Sequence, residues 1–343
     1  MFFVLGLIRV VSYGQDIHFS QFYDLAIFRN PALAGIFSGD YKYGVNYRVQ
    51  WTNLQVPFST SVANAETRIN INEVGDCLSL GFAASFDHAG SIDFNSVQIY
   101  PAINYSKSLN DVHRSYLSLG FAGGYIERYI DLSKMTFSSQ YQNGAFNNTN
   151  PSNEKIGSNR IQNYDLSAGT SFNSSIGRDN HVNYYLGVAA YHLTTPNESF
   201  NGQDAVINLN TKLSFNLGFK YKINEQYALT VHADYMMQDP YREAIFGSML
   251  SWNARDVLNN KSVKIYLGLF CRLGDAIIPA FKFDYRKSSL TFSYDIPTSS
   301  VSRITTNFGG YEISIFFRGD RRKKYKAFAC PRFENINTNN EDY

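Results

Sequence analysis

Along most of this chain, apolar and polar residues change places at every second position. Between Asp40 and Trp51, one alternate set is Tyr41, Tyr43, Val45, Tyr47, Val49 and Trp51, and the other is Lys42, Gly44, Asn46, Arg48 and Gln50. A period of two puts each set on its own face of an extended strand. Leu78, Leu80, Phe82, Ala84 and Phe86 repeat the pattern, as do Leu213, Phe215, Leu217, Phe219 and Tyr221, and later Tyr311, Ile313, Ile315 and Phe317. Helical periodicity is nearly absent. The pattern predicts about fourteen strands of roughly 9–13 residues, the length a tilted strand needs to cross a bilayer. The spans are 40–51, 58–69, 77–88, 95–106, 115–129, 163–173, 182–193, 209–222, 226–238, 242–252, 262–272, 276–285, 289–296 and 310–318. The span 242–252 fits least well, because Ile245 and Met249 interrupt its alternation.

A soluble sandwich and an outer-membrane barrel both alternate in this way, so the connectors and the polar face must separate them. In a barrel with an even strand count and both ends in the periplasm, the odd-numbered connectors face outside and are the long ones. The longest gaps, 130–162, 194–208 and 297–309, are the fifth, seventh and thirteenth, whereas Ile223-Asn224-Glu225 and Arg286-Lys287-Ser288 are short and even-numbered. The polar face is mostly Gly, Ser, Ala, Asn and Thr, with Arg48, Glu66, Arg68, Asp87, Asp234, Lys282, Asp284 and Asp295 scattered along it. Small residues relieve crowding inside a curved sheet, and opposite charges facing inward can pair across a lumen. These eight residues are therefore expected to line a lumen. Tyr41, Trp51, Tyr221 and Tyr227 fall near strand ends, where an interfacial girdle belongs. The reading is all-β: a transmembrane antiparallel β-barrel of about fourteen strands over 40–318.

Composition agrees without adding much. The chain has 343 residues, 16% aromatic, and no apolar run past its first dozen residues long enough for a membrane helix. A formal charge of +2 favours no partner class, and no basic face for nucleic acid stands out. Residues 1–14, MFFVLGLIRVVSYG, resemble an export signal cleaved before Gln15. Cys77, Cys271 and Cys330 are too few and too scattered for a disulfide framework or a metal site. Two could pair in an oxidising compartment, but isolated thiols are the expectation. Residues 15–39 show no alternation and are expected outside the sheet, as is the tail 319–343 with its Arg321-Arg322-Lys323-Lys324 run.

Those flanks carry a resemblance. QDIHFSQFYDLAIFRNPALAG (Gln15 to Gly35), followed by Tyr47-Arg48-Val49-Gln50-Trp51, resembles the opening of the PorP/SprF family of outer-membrane proteins. These belong to the type IX secretion and gliding machinery of Bacteroidetes-type bacteria. Gly309-Gly310-Tyr311-Glu312-Ile313-Ser314 and Cys330-Pro331-Arg332-Phe333 fit that family's ending, and Ile17 departs from it where a proline is frequent. The resemblance implies a barrel in the outer membrane lipid with both termini periplasmic. Its partners would be periplasmic type IX secretion components, peptidoglycan-associated proteins among them, and a secreted adhesin-like cargo with a C-terminal sorting domain. By the same analogy the partner-binding residues would be Asp16, His18, Phe19, Ser20, Gln21, Phe22, Asn30, Pro31, Ala32, Gly35, Cys330, Pro331, Arg332 and Phe333.

Nothing points to catalysis or a cofactor. His18, His88, His113, His181, His192 and His232 form no metal-binding spacing, and no nucleophile motif or phosphate loop appears. Phe121-Ala122-Gly123-Gly124-Tyr125 reads as a strand kink. The barrel alone would equally permit a passive porin or solute channel. A soluble all-β adhesin is a third, more remote reading.

Overall fold

The computed structural model describes residues 16–321, 330, 331 and 333, except 53–55, 73–74, 111–112, 155, 178–180, 202–206, 257–260 and 299–308. The barrel strands are β1 (Tyr41–Gln50), β2 (Phe58–Asn70), β3 (Cys77–Ala89), β4 (Phe94–Asn110), β5 (Ser115–Tyr129), β6 (Arg160–Ile176) and β7 (Val182–Tyr191). They continue as β8 (Lys212–Lys222), β9 (Tyr227–Gln238), β10 (Tyr241–Asp256), β11 (Lys261–Arg272), β12 (Ala276–Tyr285), β13 (Ser288–Pro297) and β14 (Gly310–Gly319). Each pairs antiparallel with its sequence neighbour. β1 closes the ring on β14, with Val45 opposite Ile315 and Arg48 opposite Glu312. Closure leaves no free sheet edge, which a backbone in lipid requires.

The two faces separate as the alternation predicts. Val45, Leu80, Phe82, Ile103, Phe121, Leu186, Phe215, Leu217, Phe281 and Ile315 point outward and are exposed, while Lys42, Asn46, Arg48, Asn64, Glu66 and Arg68 point inward and are buried. A continuous apolar belt of this extent marks a lipid-facing surface. No helix among the described residues is long and apolar enough to cross a membrane. β5, β7 and β13 finish at one end of the barrel, the loop end, where β6, β8 and β14 begin; the opposite turn end holds the start of β1 and the close of β14.

Several expectations change. β4, β6 and β10 run several residues beyond their predicted spans, because polar alternating residues keep the ladder going past the apolar belt. Phe121–Tyr125 is no kink: β5 holds an unbroken register with β6 from Tyr116 to Tyr129. Gly124 instead leaves room for the Tyr100 ring, which a Cβ there would approach to 2.5 Å.

The largest addition concerns residues 16–40, which form no part of the sheet, as expected, but thread the lumen. They form three short turns, Phe22–Asp24, Ala26–Arg29 and Pro31–Leu33, before entering β1. Asp16 contacts His192 and Lys212 at the loop end, whereas Asp40 accepts from Arg321 N at the turn end. Asp16 and Gly319 therefore sit at opposite ends of the barrel. The physical reason is that a polar lumen offers this non-alternating segment partners for its backbone and charges. The expected signal peptide, Arg332 and the basic run from Arg322 onward lie outside the described residues.

Candidate functional site

The lumen and its plug form the site. Apolar anchors come first. Phe22 and Tyr23 pack on Ile245, Met249, Phe270 and Ile278, and Ile27 packs on Ala83, Tyr100, Ala102 and Ala122. Phe19 and Leu25 meet Val62 and Phe316. Ile245, Met249 and Phe316 occupy lumen positions that alternation reserves for polar residues. They are sockets for the plug, and burying each anchor contributes about 1.5–3 kcal/mol.

The charged groups form three networks. Near the loop end, Arg48 reaches Asp295 at 2.9 Å and Glu312 at 3.1 Å, and Arg272 reaches Asp295 at 3.2 Å. Ser20 sits among them: its N–H donates to Glu312 Oε2 at 2.7 Å, its hydroxyl donates to Asp295, and both guanidiniums donate to its Oγ. Gln21 N and Nε2 donate to Glu312 as well. Deeper in, Arg29 pairs with Asp234 through two hydrogen bonds and also donates to Tyr185 Oη at 2.9 Å. Asp24 accepts from Lys282 at 3.0 Å, and its carbonyl accepts from Lys42 at 2.7 Å. Towards the turn end, Glu66 accepts the Gly35 amide at 2.8 Å, and Arg68 donates to the carbonyls of Gly35 and Phe37. Buried ions are costly unless paired, and here each has an opposite charge within 4.0 Å, on the plug or on the wall.

The Asn30-Pro31 step explains itself locally. Asn30 caps the Pro31–Leu33 turn, its Oδ1 accepting the Ala32 amide at 2.9 Å, and proline suits the first position of such a turn. The amide of Asn30 also lies against Gly169 and Gly187, where a Cβ would fall 2.1 and 2.7 Å from it. Gly120, paired with Gly169 across β5 and β6, receives Pro31 and Ala32 in the same way. Asn104 Nδ2 donates to the carbonyls of Ala32 and Ala34.

All eight expected lumen residues face inward. Arg48, Glu66, Arg68, Asp234, Lys282 and Asp295 contact the plug, whereas Asp87 bonds Thr60 and Asp284 bonds Tyr266 and Ser289 on the wall. Of the residues offered as partner contacts, Phe19, Ser20, Gln21, Phe22, Asn30, Pro31, Ala32 and Gly35 are buried in the lumen, and Asp16 and His18 are partly exposed at its loop end. Cys330, Pro331 and Phe333 are buried at the turn end. Cys330 forms a disulfide with Cys77, correcting the expectation of isolated thiols; Cys271 is free. The fold brings together two residues 253 positions apart, and spacing alone could not reveal that. Sequence reasoning also missed Asp24, Arg29, Asn104, Arg272 and the glycine sockets. The one readable trace was apolar residues at polar-face positions. Among the described residues, no group of three or more His, Cys, Asp or Glu could hold a metal ion.

A closed barrel with an apolar belt and a polar lumen defines an outer-membrane β-barrel protein. The model of the family described as type IX secretion system membrane protein PorP/SprF matches residues 11–317, and the chain belongs to that family. Its fold is similar to that of a Pseudomonas aeruginosa FadL homologue, at 12% identity over 84% of this chain and 92% of that one, with a TM-score of 0.50. It is likewise similar to the Ralstonia pickettii toluene transporter TbuX, at 10% identity over 86% and 93%, with a TM-score of 0.51. No curated protein matches the chain.

Proposed function

We infer that this chain is a plugged, non-enzymatic component of the type IX machinery that supports export or surface anchoring of a secreted, adhesin-like cargo. In this reading the turn end faces the periplasm and meets secretion components there, while the long loops face outside. One observation supports a partner protein over a passive channel: residues 16–40 run through the lumen and bond its wall at both ends and the middle. A porin needs a continuous water path, and this lumen holds protein instead. The cargo's C-terminal sorting domain and the periplasmic components are the expected partners.

Cross-linking in native membranes followed by affinity capture tests this. Recovery of periplasmic secretion components or a large secreted protein supports the reading. Recovery of neither, together with open-channel conductance by the intact protein, replaces it with the passive porin.

A further inference from the structure

Beyond β14 the chain returns to the barrel at Cys330, Pro331 and Phe333. Cys330 is bonded to Cys77, the first residue of β3, with their Cα atoms 6.0 Å apart. The Pro331 carbonyl accepts from Arg68 Nη1 at 3.0 Å, and that same nitrogen donates to the plug carbonyls of Gly35 at 3.3 Å and Phe37 at 2.7 Å. One guanidinium therefore grips plug and tail together. Phe333 is buried; its ring stands edge-on to Tyr185 at 4.7 Å, lies 5.5 Å from His232, and packs against Leu33 of the plug.

A single aromatic ring and one shared carbonyl make a weak dock for a free chain end. A covalent tie three residues from the ring changes this, because it holds the ring at high effective concentration beside its socket. We propose that the Cys77–Cys330 bond is a redox latch on the plug. With the bond formed, Pro331 and Phe333 press the Leu33–Phe37 end of the plug against the wall at the turn end. With the bond reduced, Pro331 and Phe333 give up their contacts with Arg68, Tyr185 and Leu33, and that end of the plug loosens. The partner that would operate the latch is a dithiol, whether a protein or a small molecule. Its thiolate attacks one sulfur of the pair, and the other sulfur departs as a thiolate. The second thiol of the reductant then closes on the mixed disulfide. Two electrons pass to Cys77 and Cys330, which take up two protons, and the reductant becomes a disulfide. Both cysteines are buried, so the reaction proceeds through local opening of the tail.

Hydrogen exchange on the folded full-length protein in detergent tests this. Four samples are compared: oxidised protein, protein reduced with dithiothreitol and alkylated after folding, Cys330→Ser, and oxidised Phe333→Ala. The amides of Gly35 and Ile36, which donate to Glu66 and to the Leu33 carbonyl, should exchange about tenfold faster or more in the last three than in the first, with barrel amides unchanged. Dithiothreitol should add nothing to Cys330→Ser. Unchanged exchange at Gly35 and Ile36 in the reduced and Cys330→Ser samples overturns the proposal. So does acceleration of Cys330→Ser by dithiothreitol to the same extent as the wild type. Should Cys330→Ser not fold, the protein reduced after folding carries the test.

Discussion

Arg29 of the plug and Asp234 of β9 meet through two hydrogen bonds, Nε to Oδ2 at 2.7 Å and Nη2 to Oδ1 at 2.6 Å, with both side chains buried. Removing one member strands the other charge in the lumen. Asp234→Ala should therefore weaken plug docking by about 3–5 kcal/mol, read as faster hydrogen exchange or proteolysis between residues 20 and 35. Replacing both, as Arg29→Met with Asp234→Leu, should recover most of the loss, since a buried pair gains little over an apolar one of similar shape. A double variant as impaired as the single one would refute this reading of the pair.

The glycine sockets offer a steric test that leaves charge untouched. A Cβ on Gly120 would lie 2.3 Å from the Ala32 amide nitrogen, whereas a Cβ on Gly123 has nothing within 4 Å. Gly120→Ala should displace the Asn30–Ala32 turn while the barrel still folds, seen as retained heat-modifiable mobility and added conductance. Gly123→Ala should be silent. Equal behaviour of the two would mean that the turn does not depend on the socket.

On β8 the two faces answer differently to the same change. Leu217 faces lipid, and Leu217→Arg should cost about 2–4 kcal/mol of barrel stability if it sits near the midplane. The sequence pattern alone suggests that arginine at Asn216 would be mild. Asn216 is buried beside Gly187 and the Asn30 socket, so Asn216→Arg should spare the barrel and expel the plug. Folding yield in liposomes and plug protection, measured on both variants, should separate them.

At the β2–β3 turn, acid should act through Asp76. Burial alone would push its carboxyl up, but hydrogen bonds from Lys107 at 2.8 Å, the Ser108 amide at 2.9 Å, Asn72 at 3.0 Å and Tyr105 at 2.9 Å outweigh that and hold it well below the usual carboxylate range. A carboxyl depressed in the folded state stabilises above its unfolded pKa, about 3.9, and the contribution fades as pH falls towards the folded value. Asp76→Asn should therefore be less stable than the wild type at neutral pH, with the gap narrowing once pH drops below about 4. Paired unfolding curves at several pH values check this, and a gap independent of pH would contradict it.

The barrel was legible because its signal is local. Val45, Leu217 and Ile315 report their faces through their immediate neighbours, and the long connectors report their end of the barrel by length alone. The plug was not legible, because its partners are remote: Ser20 meets Glu312, Arg29 meets Asp234, and Cys77 meets Cys330 only once the ring has closed. A segment without alternation reads as lying outside a sheet, and nothing in its own residues says that it lies within one. The trace it left was on the wall, at Ile245, Met249 and Phe316, where apolar side chains interrupt a polar face to receive it. Interruptions of this kind deserve reading as contacts before they are read as weak strands.

The central claim is that the chain closes its own lumen with residues 16–40. Planar-bilayer recording tests it most directly, comparing the folded full-length protein with a folded variant lacking residues 16–38. The full chain should show almost no conductance, and the shortened one stable open-channel steps. Equal conductance from the two, whether both open or both closed, would contradict the account.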